Sequence, residues 1–166
     1  MMNLIAVLGP DRVSKSTTIR RLHETVPGST TVHFAGPQPT HSSPYEQYEC
    51  LLKPESDFVL ADRGWLGEPL LYDRFRRNLV YEDIWFTDFE DKLNSVYDFI
   101  HIFLIRRPWD ETMVSRHLSE LQELYPNASR WFLDTQLDFR RREHEAYYQW
   151  VDSYESRFPV IDMEGT

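Results

Sequence analysis

The sequence predicts an α/β fold, three layers in the order αβα around a mostly parallel five-stranded sheet. Three observations carry that expectation. Five short apolar runs recur along the 166 residues, segments with helical spacing of apolar positions separate them, and glycine, proline or charged residues follow the runs. Strands alternating with helices form βαβ units, whose sheet is parallel and covered on both faces.

The first run, Asn3 to Leu8, is apolar and closed by Gly9-Pro10, which suits a buried strand. Ser16 to Val26 carries Ile19, Leu22 and Val26 at helical spacing, and Pro27-Gly28 ends it. Thr30 to Phe34 is rich in β-branched residues and predicts a second strand. Ala35 to Pro44 holds three prolines and a glycine and reads as a loop, followed by a short helix over Tyr45 to Lys53. Asp57 to Ala61 is the third strand, and Gly67 to Asn78 a lid-like or helical segment. Thr87 is placed to cap a helix from Asp88 to Val96, with Phe89, Leu93 and Val96 on one face. Phe99 to Ile105 is the fourth strand. Pro108 suits the first turn of a helix to Tyr125, and Asn127 is placed to cap a long helix to Ser156 whose inward stripe includes Leu137, His144, Tyr147 and Val151. Pro159 to Asp162 closes the series as a fifth strand.

This length suits one domain over residues 1–166, with a lid-like segment at about 106–130. The chain has 27 acidic and 18 basic side chains, a net charge of −9. That balance argues against a protein that coats duplex nucleic acid, without excluding it, and leaves room for a small anionic substrate in a local cationic pocket. Fifteen of the cations are arginine and only Lys15, Lys53 and Lys92 are lysine; arginine's planar fork binds phosphate bidentately. The single cysteine, Cys50, forms no internal disulfide, and Leu4 to Leu8 is too short for a signal core or a membrane span. A cytoplasmic protein without membrane contact is expected, in the host cytoplasm if the source is viral.

In open parallel sheets ligands sit beyond the carboxyl ends of the strands, so the chemistry is sought in Gly9 to Lys15, Phe34 to Pro37, Asp62 to Glu68 and Arg106-Arg107. Gly9, Lys15 and Ser16 fit the pattern G-x-x-x-x-G-K-[ST], with Ser14 in place of the second glycine. Gly9, Pro10, Asp11, Arg12, Val13, Ser14, Lys15, Ser16 and Thr17 would then wrap phosphates with backbone N–H groups at a helix start. Lys15 would reach the β/γ-phosphates and the Ser16 hydroxyl would ligate Mg²⁺. Asp62-Arg63, just after the third strand, supplies a carboxylate to hold the metal or accept a hydroxyl proton, and a cation for the transferring group.

The loop, the Asp62-Arg63 pair followed by Gly64, Glu68 and Tyr72, and a late arginine-bearing helix resemble the thymidylate kinase and deoxynucleoside kinase group, above all its small bacteriophage-type members. The resemblance spans nearly the whole chain, although only the loop and Asp62-Arg63 are specific. Ser14 departs from the pattern, the chain is shorter than cellular thymidylate kinases, and no helix follows the last strand. The resemblance implies a P-loop kinase fold, ATP and Mg²⁺, a nucleotide or nucleoside substrate and a possible homodimer. Ser16 and Asp62 would hold the metal, and a lid arginine would complete the set. Arg116 is the first choice; Arg130 and Arg140-Arg141-Arg142 compete, although three consecutive helical arginines fan over about 200° and cannot share one target. For the acceptor, Phe34, Trp65 and Tyr72 could build a slot for a base and Glu68 could bond a sugar hydroxyl, whereas His33 and His41 read as structural or exposed.

The expected function is an ATP-dependent nucleoside monophosphate kinase, thymidylate-like. The alternatives are a deoxynucleoside kinase, a kinase acting on a hydroxymethylated base in DNA, and a nucleotide-binding regulator without catalysis.

Overall fold

A computed structural model describes the backbone of residues 1–166 and all side chains except those of Leu70, Leu71, Tyr72 and Phe75. Five strands, β1 (Asn3–Leu8), β2 (Thr30–His33), β3 (Phe58–Asp62), β4 (Phe99–Arg106) and β5 (Val160–Glu164), form one sheet in the order β2-β3-β1-β4-β5. Every pairing is parallel, and Ala6 of β1 lies opposite Ala61 on one side and Ile102 on the other. The chain thus builds one half of the sheet from β2 and β3, then crosses β1 to build the other half from β4 and β5. That reversal opens a crevice at the carboxyl end of β1.

Alternation along β1 sends its side chains to two cores. Leu4, Ala6 and Leu8 join Val59, Ala61, Ile102 and Leu104 on one face, covered by Phe86, Phe89 and Leu93 of α3 (Asp83–Val96) and by Tyr147 and Val151 of α5 (Arg130–Ser153). Val7, with Leu60 and Ile105, packs on the other face against Val13, Ile19 of α1 (Lys15–Thr25) and Met113 of α4 (Glu111–Leu124). The three αβα layers follow directly. Fully buried Leu60, Ile102 and Leu104 contribute about 1.5–3 kcal/mol each.

Between β2 and α3 the chain runs through a 3₁₀ helix (Glu46–Leu52), a wide π-type turn (Glu68–Asp73) and a single turn α2 (Arg74–Arg76). Several boundaries differ from the sequence expectation. The third helix starts at Asp83, because Trp85 stacks on Phe89 at 5.0 Å and on Tyr45 at 5.1 Å, so Thr87 is interior rather than a cap. Ser129, not Asn127, caps α5 by accepting from Phe132 N, and Asp110 caps α4 by accepting from Met113 N. Both use a short oxygen side chain to satisfy an orphan N–H. Residues 106–130, expected as a lid, comprise the end of β4, a short link, the regular helix α4 and the turn into α5.

Candidate active site

The crevice beyond β1 and β3 holds a cavity of about 620 Å³, lined by Asp11, Arg12, Ser14, Lys15, Ser16, His33, Asp62, Arg63, Arg116, Ser119 and Glu120. One wall is the loop from Gly9 to Ser16. Glycine is required at its start because a Cβ there would lie 2.7 Å from Val13 Cγ2 and 3.2 Å from the Ile105 carbonyl oxygen. Ser14 adopts φ 74°, ψ 31°, the left-handed region open to small polar residues at a cost of roughly 1 kcal/mol. Its carbonyl accepts from Thr18 N, and its hydroxyl donates to the Thr166 carbonyl at 2.9 Å. Among the described residues, four non-glycine residues have positive φ, and Arg12, Ser14 and Arg63 of these line the cavity. Backbone strain of this kind gathers at functional sites.

Lys15, the first residue of α1, is buried, and its ammonium donates to the Pro10 carbonyl at 2.5 Å. Burial lowers its pKa to about 8, with the nearby Arg63 adding to the effect and Asp11, Glu68 and Asp62 opposing it. Arg116 reaches across from α4 to donate to the carbonyls of Arg12 (2.8 Å) and Thr166 (2.6 Å).

The facing wall starts at the carboxyl end of β3. Arg63 donates to Glu68 Oε1 at 2.9 Å and to Asp11 Oδ1 at 3.1 Å. Arg76 bonds the second oxygen of Asp11 and also Glu143. Burial raises the Glu68 carboxyl, although Arg63 and Lys15 oppose that. Burial acts in the same direction on Asp11, but Arg63, Lys15 and Arg76 outweigh it and hold that carboxyl below its ordinary value. Asp62 is 6% exposed, and its Oδ2 lies 2.9 Å from His33 Nδ1. Its Oδ1 is buried and has no hydrogen-bond partner among the described residues.

The proposed slot for a base is not formed by Phe34 and Trp65. Trp65 is fully buried, donates its indole N–H to Glu90 at 3.0 Å and packs edge-on against Phe158. Phe34 is buried against Tyr48 at 5.1 Å. Glu68, expected to meet a sugar, is 2% exposed and engaged with Arg63. Tyr72 lies outside the described side chains. Of the arginines considered for the lid, Arg116 lines the cavity, whereas Arg130 pairs with Asp134, Arg140 with Glu120, and Arg141 and Arg142 with Asp138.

Three contributors escaped the sequence reading. His33 was expected to be structural or exposed, yet it contacts Asp62; its position immediately after a strand aimed at the crevice was the available signal. Arg76 bridges Asp11 and α5. Tyr147 on α5 accepts from Gly9 N at 3.1 Å and lies so close to Gly67 that a Cβ there would come within 2.2 Å of its oxygen. It had been read as part of an apolar stripe, and only its phenol oxygen distinguished it.

No family model matches the sequence, and no curated protein matches it. Solved structures do share its fold. A protein assigned as a polyphosphate kinase 2 of Pseudomonas aeruginosa PA01 superposes with TM-score 0.67 at 20% identity over 98% of this chain. The polyphosphate kinase 2 of Arthrobacter aurescens TC1 gives 0.63 at 13% identity over 98%. The YorR protein of Bacillus subtilis, solved in complex with phosphorylated GDP, gives 0.62 at 13% over 97%, and the match covers 85% of that protein. The chain spans 38% and 61% of the two polyphosphate kinases. The chain therefore shares the fold of these structures, built here as an all-parallel five-stranded sheet with helices on both faces. No helix is long and apolar enough to cross a membrane among the described residues.

Proposed function

We propose that the chain is a phosphotransferase that moves the γ-phosphoryl group of a Mg²⁺-bound nucleoside triphosphate, ATP in the simplest case, onto a nucleoside or nucleotide. The observation that carries this reading is the cavity itself: the loop from Gly9 to Ser16, with Lys15 and Ser16, shares a cavity of about 620 Å³ with Asp62 and Arg63. Loop amides and the start of α1 would cradle the donor phosphates, and Lys15 would exchange the Pro10 carbonyl for a phosphate oxygen. Arg116 would follow the donor in the same way and serve as the lid arginine.

The residues fit a magnesium ion. Mg²⁺ is commonly held by one or two protein oxygens together with substrate phosphates and water. Exposed Ser16 and Asp62, with its partnerless buried oxygen, offer such a pair. Bound there, the ion would neutralise charge on the β- and γ-phosphates. Arg63, fixed by Asp11 and Glu68, would orient the group in transfer.

Two acceptor classes suit this cleft. A thymidylate-like monophosphate matches the arginine-rich composition. The hydroxyl of a deoxynucleoside, or of a hydroxymethylated base in DNA, matches the position of Asp62. Thermal-shift titration with Mg²⁺–ATP, followed by transfer assays across nucleosides, nucleotides and modified DNA, tests the reading. Binding with transfer is expected, and Lys15→Ala should lower transfer by about 10²–10³-fold while the protein stays folded. Binding without transfer to any acceptor would make it a nucleotide-binding regulator instead, and unchanged turnover in Lys15→Ala would remove the kinase reading.

A further inference from the structure

We infer that Glu120 is a built-in competitor of the triphosphate: it holds Arg12 of the donor loop, and it gives Arg12 up to a donor phosphate by staying on Arg140. The inference rests on the phosphotransferase reading above and adds a regulation of donor binding in the same cavity.

The first observation is how α4 grips the loop. Arg12 has a φ of 68° and lines the cavity together with Glu120. Its Nη2 lies 2.7 Å from Glu120 Oε1 and its Nε donates to Oε2 at 3.3 Å, so the guanidinium fork meets both carboxylate oxygens. The same fork fits two phosphate oxygens. Glu120 thus covers the edge of Arg12 that a phosphate would take. Burial raises its carboxyl, but Arg12 and Arg140 outweigh that and hold it below its ordinary value. The carboxylate is therefore charged, and it repels an incoming phosphate across the cation they both seek.

The second observation is the other partner of Glu120. Its Oε2 also accepts from Arg140 of α5. Arg140 is fixed in turn, because the same nitrogen donates to His117 Nδ1 at 3.2 Å, and the buried His117 ring lies 4.9 Å from that of Trp109. Burial, with Arg140 adding to it, lowers His117 to about 4, which leaves Nδ1 free of a proton and able to accept. The Arg12 side chain is 47% exposed and that of Arg140 only 19%. The exposed cation is the one that can leave, and the enclosed one stays. A carboxylate stripped of its last partner would bear the full cost of desolvation; Arg140 spares Glu120 that cost when Arg12 departs.

The grip has a second point, since the Arg12 carbonyl accepts from Arg116 at 2.8 Å. A triphosphate that draws Arg12 and Arg116 to its oxygens undoes both bonds between α4 and residue 12, so donor binding frees α4 from the loop. Until then the apparent affinity is reduced by the fraction of molecules in which Glu120 keeps Arg12.

The test is calorimetric titration of Mg²⁺–ATP into the wild type, Glu120→Gln, Arg140→Gln and the double variant, with a melting curve for each to verify folding. Glu120→Gln, which keeps the shape and removes the charge, should bind about fivefold more tightly, and the gain should shrink as salt is raised. Arg140→Gln leaves the carboxylate to Arg12 alone and should bind about threefold more weakly. In the double variant the Arg140 substitution should add no more than about a twofold change, because Arg140 acts through Glu120. Equal or weaker binding by Glu120→Gln would overturn the competition and make Glu120 a brace of the loop. The same loss from Arg140→Gln with and without the Glu120 charge would overturn the exchange. Either result leaves the phosphotransferase reading standing, whereas failure of the wild type to bind Mg²⁺–ATP would remove that reading and this inference with it.

Discussion

On the loop side of the crevice, Lys15 donates to the Pro10 carbonyl and Arg116 to the Arg12 carbonyl, although Arg12 itself pairs with Glu120, whereas Arg63 across the crevice, and Arg76 and Arg77 in the segment that follows it, are tied to carboxylates. A carbonyl is a neutral partner that an anion readily replaces; a carboxylate cancels the charge and fixes the side chain. One side is thus prepared to receive charge, and the other is prepared to keep its shape.

The largest effect that would test this contrast is on pH dependence. Lys15 titrates at about 8 in the ligand-free protein because burial disfavours its charge. Below that pH it is already protonated and contributes no slope. As pH rises above 8, binding of a triphosphate must add a proton, and affinity should fall by up to about tenfold per pH unit. Calorimetry at pH 8.5 in buffers of different ionisation enthalpy should show that uptake, and Lys15→Met should abolish it. The sign for folding is opposite. Because the folded-state value lies below the ordinary 10.5, the Lys15 contribution favours the ligand-free fold as pH climbs from 8 toward 10.5. An affinity independent of pH from 7 to 9 would mean that the loop side is not set up for charge.

A smaller effect is expected at Tyr147. Tyr147→Phe leaves the buried Gly9 N–H without its phenol acceptor, which should cost about 1–3 kcal/mol in urea unfolding and loosen the loop enough to weaken nucleotide binding. If stability and binding are both unchanged, α5 does not support the loop.

The smallest effect belongs to Ser14. Ser14→Gly removes a left-handed strain of about 1 kcal/mol but frees the unfolded chain by a similar amount and deletes the hydroxyl bond to Thr166. The two terms nearly cancel, so stability should change by less than about 1 kcal/mol and turnover by little. A large gain in either would show that serine strains the loop.

The same contrast explains what could be read in the sequence. Five apolar runs and the loop between Gly9 and Ser16 are local signals, each carried by residues adjacent in the chain. All five strands and the loop were legible for that reason. The opposite side is assembled from residues far apart in the chain. Arg76 meets Asp11 across 65 positions and Tyr147 meets Gly9 across 138, so spacing carries no trace of either. Trp65 and Phe34 show the converse error: adjacency to Asp62 or to a strand end made them look available to a base, but β3 continues into a buried turn that sends the indole to Glu90. Helix starts were misplaced because Thr87 and Asn127 are acceptable caps by chemistry, and aromatic packing and Ser129 decided otherwise.

The tight seat of Tyr147 has one further consequence. The same phenol touches the amide at the head of the donor loop and closes on Gly67, one residue before the glutamate that steadies Arg63. On the proposed function, a sideways shift of α5 would therefore be felt by both substrates at once. Filling one half of the crevice should alter the affinity of the other, and thermodynamic reciprocity makes that influence equal in the two directions.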